Sequence, residues 1–189
     1  MLPIFLTVAA RKLEAAGTPL SGAQRDRLQS LYALHHQIVW RVLRRSGLDE
    51  AHADDAAQQV FLVAMKRLSD LRPETERGFL CGTAVMVARK LRQTRAKESL
   101  PGVLPDGESR DRPDVLAEQR LNVAILDSVL KQLTDELREV FVLQEIEGLS
   151  KREAAMALGV PEGTVASRLR RARESFDELL TAATKGASS

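Results

Sequence analysis

Proline removes a backbone donor and clashes with the preceding helical turn, so long helices are confined to the stretches between prolines. This chain has seven, Pro3, Pro19, Pro73, Pro101, Pro105, Pro113 and Pro161, and they leave two long proline-free windows, 20–72 and 114–160. Between the windows, residues 99–113 read SLPGVLPDGESRDRP, with three prolines, two glycines and no helical apolar spacing. That segment is a linker. The chain therefore divides into an N-terminal segment (1–23), a first helical domain (24–98), the linker (99–113), a second helical domain (114–182) and a disordered tail (183–189).

Apolar periodicity fills both domains with helices. Leu31, His35, Ile38 and Val42 share one face of a helix over roughly 24–46, which Gly47 ends. Ala53, Ala56, Ala57, Val60, Phe61, Ala64 and Leu68 do the same over 50–70. After Pro73 the stripe is Leu80, Ala84, Val87 and Leu91, over 75–97. In the second domain Leu121, Ile125, Val129 and Leu133 mark one helix, and Leu137, Val140, Phe141 and Ile146 the next. Thr134 is placed to cap the latter, and Gly148 to end it. No alternating run of strand length is present, so the fold class is all-α: two small helical domains joined by a flexible linker.

Ser150 opens a Ser-Lys-Arg-Glu capping box, a short helix runs to Leu158, Gly159-Val160-Pro161 turns, and a last helix runs from Pro161 to Thr181. Short helix, glycine turn and longer helix make a helix-turn-helix, winged-helix-like in type. Ala155 is small where the helices meet, Gly159 supplies the positive φ, and Val165 points back into the junction with Leu158 and Leu169. From Lys151 to Arg173 there are six basic residues, Lys151, Arg152, Arg168, Arg170, Arg171 and Arg173, against two acids, Glu153 and Glu162, a local charge of +4 in a chain whose total is +2. Clustered arginine on such a helix suits phosphate neutralisation and guanine recognition, with Thr164 and Ser167 as hydroxyl donors near its start. The end of the third helix carries Arg89, Lys90, Arg92, Arg95 and Lys97 without an acid, part of which can simply offset the helix dipole.

Other function classes lack their residues. Aromatics are 4% of the chain, too few for a dense base-stacking platform. His35, His36 and His52 are the only histidines, with no nucleophile elbow, phosphate-cradling glycine loop or metal spacing beside them. Neither enzymatic activity nor a cofactor or metal is expected. Cys81 is the single cysteine and has no disulfide partner; at an apolar helix start it reads as buried packing, and the cytosol is the expected compartment. The start, residues 1–10, is apolar but lacks a preceding basic stretch, so it reads as a buried or fraying segment and not a signal peptide.

In order and in detail these elements resemble the sigma factors of bacterial RNA polymerase. The resemblance is greatest to the extracytoplasmic-function (ECF) group of the sigma-70 family, which keeps only regions 2 and 4. The carriers are LTDELREVFVL (133–143), EIEGLS (145–150), GTVASRLRRAR (163–173) and, earlier, DDAAQQVFL (54–62). The resemblance implies that Asp54, Asp55, Gln58, Gln59 and Phe61 bind the clamp helices of the polymerase β′ subunit. It implies that the segment from Pro73 through Arg95, with Arg77, Met86, Arg89, Lys90, Arg92 and Arg95, melts and holds the minus-ten element. Region 4 would read the minus-thirty-five duplex and touch the β flap. There Ala166, Ser167, Arg170 and Arg171 face the groove, while Arg168 and Arg173 serve phosphates or intramolecular support. Lys151, Arg152 and Thr164 complete that set. The linker would run toward the active-site and RNA-exit region. An anti-sigma protein is a further implied partner, with no membrane insertion and a monomeric free state. The competing expectation is a stand-alone helix-turn-helix activator whose N-terminal bundle senses or dimerises.

Overall fold

The computed structural model describes residues 20–98 and 116–186, together with Thr7. The expectations for the rest of the N-terminal segment and for the linker lie outside the described residues. Helix α1 spans Gly22–Arg45, α2 Glu50–Lys66 and α3 Pro73–Glu98. In the second half α4 spans Leu116–Gln132, α5 Asp135–Phe141, α6 Lys151–Leu158 and α7 Glu162–Gly186. No strand occurs among the described residues, so the helix-turn-helix is built of helices alone, without the β-hairpin that a winged form carries. The last helix also outruns its expected end at Thr181 and continues to Gly186, because no proline or glycine interrupts it earlier; only 187–189 of the expected tail fall beyond the description.

Local side chains set the helix starts. Ser21 and Gln24 form a capping box at α1. Ser150 and Glu153 form the second at α6, where Glu153 is held below its ordinary proton affinity chiefly by the hydrogen bond from the Ser150 hydroxyl. Gly159 ends α6 in the left-handed region at φ 66°, as the turn requires. Thr134 stands at the N-cap of α5, but its side chain makes no capping bond. The junction is held instead by the buried guanidinium of Arg138, which donates to the carbonyls of Leu130, Lys131 and Leu133 and so satisfies the open end of α4. Between α5 and Gly148 the chain does not continue as α-helix: Val142–Ile146 forms one π-helical segment.

Asp49 caps α2 by accepting from the His52 backbone N–H at 3.0 Å. Burial works against its charge, yet the His52 N–H and ring and the Arg95 guanidinium outweigh it and hold the carboxyl at about 2. An acid depressed in the folded state stabilises that state while ionised. The contribution is complete above the ordinary value of 3.8 and is lost as pH falls through about 2. Asp49→Asn keeps the cap but cannot ionise. Its urea midpoint is expected below that of the parent at pH 6, with the gap closing as the pH is lowered from 4 to 2 in parallel melts.

Helices α1, α2 and α3 pack together as the first domain, and α7 packs on α4, α5 and α6 as the second. The two domains also meet. The broadest seam lies between α3 and α6, with smaller contacts from α1 to α4 and to the π-helical segment. One buried cluster runs through both, from Leu28, Val39 and Phe61 through Leu80 and Ala84 to Leu143, Ala154 and Val165. Gly82 makes the seam possible: a Cβ there would lie 2.5 Å from the Ala157 carbonyl oxygen.

Candidate nucleic-acid interface

Helix α7 leaves most of the side chains named for it exposed. Val165 and Ala172 are fully buried, which turns the alternate positions outward. Ala166, Ser167, Arg170 and Arg171 are exposed and Thr164 is half-buried. Arg170 pairs along the helix with Glu174 at 2.8 Å, and Lys151 with Glu162 at 3.6 Å. Arg152 and Arg171 are exposed and make no ion pair among the described residues. Arg168 is different: with its side chain 17% exposed, it binds Glu136 on α5 at 2.9 Å. Arg173 reaches Glu145 at 2.6 Å. Both arginines tie α7 to other elements of its own domain.

The arginines expected on α3 have taken protein partners. Arg89 forms a two-pronged pair with Glu139, Nη2 to Oε2 at 2.6 Å and Nε to Oε1 at 3.2 Å. These hydrogen bonds hold its guanidinium more firmly protonated than usual. Arg92 lies 2.8 Å from Asp135 and donates to the Ser46 carbonyl. Arg77 donates to the Glu147 carbonyl, and Arg95 pairs with Asp49 at 3.3 Å. Lys90 and Met86 remain exposed. Met86 and Met156 line a cleft of about 370 Å³ along the seam, together with Phe79, Thr83 and Arg67.

Several of these partners escaped the sequence. Glu147 is buried, its side chain 1% exposed, and accepts from Arg41 at 2.6 Å and Arg45 at 2.9 Å. Glu139 is likewise buried beneath Arg89. Each pair joins the first domain to the second across a long separation, and nothing in local spacing announces it. Cys81 is buried, and that burial pushes its thiol up to about 12, so it is protonated and unreactive at neutral pH.

On α2, Asp54, Asp55 and Gln59 are exposed and Gln58 is half-buried. Phe61 is not on that surface. It is fully buried, its ring 4.8 Å from that of Tyr32, because it belongs to the apolar stripe that faces α1. Its part is to hold α2 in place beneath the polar face.

Comparison with known proteins accounts for both halves. A Sigma-70 region 2 model matches residues 31–97 and a Sigma-70 region 4 model matches residues 124–176. RNA polymerase sigma factor CnrH of Cupriavidus metallidurans is 33% identical over 88% of this chain and 93% of its own length. The ferric citrate uptake sigma factor FecI of Escherichia coli is 33% identical over 77% of this chain and 86% of its own. The solved structure of CnrH in complex with the cytosolic domain of CnrY superposes with a TM-score of 0.66, covering 92% of this chain and 98% of that one at 31% identity.

Proposed function

The chain belongs to the sigma-70 family and is an RNA polymerase sigma factor of the ECF group, and from that premise we propose how its surfaces divide the work. The polar face of α2, with Asp54, Asp55, Gln58 and Gln59, docks on the clamp helices of the β′ subunit. Helix α7 enters the major groove of the minus-thirty-five element through Ala166, Ser167, Arg170 and Arg171, with Lys151, Arg152 and Thr164 around it, while its domain touches the β flap. Helix α3, with Met86 and Lys90, holds the melted minus-ten strand. On this reading Arg77, Arg89 and Arg92 exchange their protein acceptors for DNA when the two domains separate on the polymerase.

No step of bond chemistry falls to this chain. Its binding energy to polymerase and promoter offsets the unstacking of base pairs, on the order of a few kcal/mol per step. The chain works in the cytoplasm and is a monomer when free; away from polymerase an anti-sigma protein holds it, a partner favoured by the CnrH structure, in which CnrH is bound to CnrY.

The observation that carries the proposal is the presence of both family regions on one chain, one with an open acid-and-amide face and the other with an open arginine face. Titration of labelled protein into purified bacterial core polymerase tests it. Saturable binding at nanomolar concentration is expected, weakened when Asp54, Asp55, Gln58 and Gln59 are all replaced by alanine. A folded protein that fails to bind core would sink the proposal and restore the stand-alone activator.

A further inference from the structure

Tyr32, His36 and Trp40 stand four residues apart on α1 and so form one row along its surface. Tyr32 and His36 face α2. There Asp54 and Gln58, also four apart, join them and Ala57 around an open cleft of about 230 Å³. The Trp40 indole N–H donates to Asp54 Oδ1 at 2.8 Å, which fixes the carboxylate at the end of the cleft. Asp54 forms no ion pair among the described residues, and it is exposed.

The rest of the lining is flat and neutral. The Tyr32 and His36 rings lie 4.6 Å apart, with the buried Phe61 ring behind them. Burial lowers the proton affinity of His36 below its ordinary value and outweighs the Asp54 charge that raises it, so the imidazole is neutral at pH 7. Burial also keeps the Tyr32 phenol protonated. Asp54 is therefore the one charged group among the described residues that line the cleft. Arg44, on the same helix as Trp40, sits over the Trp40 ring at 5.7 Å and donates to the Leu48 carbonyl at 2.8 Å. One carboxylate beside one amide and an aromatic lining suits a planar cation. A guanidinium both pairs with the acid and stacks on the rings, whereas an ammonium only pairs.

We propose that this cleft receives an arginine side chain of the polymerase surface that docks on region 2, and that Trp40 is the positioning residue for Asp54. The inference rests on the assignment of the α2 polar face to core polymerase. It adds α1 to that interface and names the chemistry of the group it meets.

Core-polymerase titrations on the full chain test both parts, with folding of each variant checked by circular dichroism and urea melts. His36→Lys sets a fixed cation in the cleft and is expected to weaken binding on the order of a hundredfold. Gln58→Lys introduces the same charge from α2 and stands in if the first variant does not fold. Trp40→Phe keeps the ring but loses the N–H, with an expected weakening of about tenfold. In an Asp54→Ala background the same Trp40→Phe change should have no further effect, since Trp40 acts through that carboxylate. If Asp54→Ala itself binds as the parent does, the assignment of Asp54 to the polymerase fails, and the cleft with it. If Asp54→Ala is weakened while the folded lysine variants bind as the parent does, the arginine cleft alone is overturned. Equal losses from Trp40→Phe in both backgrounds would overturn the positioning role.

Discussion

Replacing Gly82 with alanine is expected to part the two domains while leaving each of them folded. The added Cβ would lie 2.5 Å from the carbonyl oxygen of Ala157, 2.8 Å from its Cα and 3.0 Å from its carbonyl carbon. All three are backbone atoms of α6, which cannot swing aside as a side-chain end can. Within α3 the change is otherwise favourable, because alanine exceeds glycine in helix propensity by roughly 1 kcal/mol. The strain therefore falls on the α3–α6 seam, and the pairs Arg89–Glu139 and Arg41–Glu147 separate with it. Small-angle scattering should report a larger radius of gyration at unchanged helicity. On the proposed assignment of α3, the variant should also bind single-stranded minus-ten DNA more tightly than the parent, since that helix is uncovered. An unchanged radius would mean that α6 can slide over the added methyl and that the seam does not depend on Gly82.

Phe61→Ala is expected to cost about 3–5 kcal/mol of unfolding free energy, the range for removing a fully enclosed aromatic ring. Phe61 is 0% exposed and packs against Tyr32 and the apolar side of α1. Its loss should therefore lower the urea midpoint before any polymerase is added. Gln59→Ala, four-square in solvent on the same helix, should stay within about 0.5 kcal/mol of the parent. A stable Phe61→Ala protein with a specific defect in polymerase binding would return this ring to the interface.

Phe61 also shows where sequence reading reaches its limit. Its place in the apolar stripe and its place in the DDAAQQVFL string are both plain in the sequence, and burial decides between them. Features set by neighbours within a few residues were legible: the helical windows between prolines, the Ser150–Glu153 box and the left-handed turn at Gly159. So was the outward face of α7, because Val165 and Ala172 fix which side is buried. Thr134 was legible as a position but not as a bond, since Arg138 took over the helix junction by reaching back to Leu130. The ion pairs across the seam were not legible at all. Glu147 meets arginines 102 and 106 positions earlier in the chain, where α1 comes against the end of the π-helical segment.

The π-helical segment at Val142–Ile146 has a geometric consequence of its own. A π turn accommodates one residue more than an α turn, and each α-helical residue turns the axis by about 100°. This surplus residue acts as an indexing notch between α5 and everything after it. Taking it out would let the segment relax to an ordinary α-helix and rotate the following chain by about that angle. The Glu147 carboxylate would then point away from Arg41 and Arg45, and α6 would meet α3 on the wrong side. The angular phase of the helix-turn-helix relative to the first domain is thus set by a single count of residues, in a segment that precedes both of its helices.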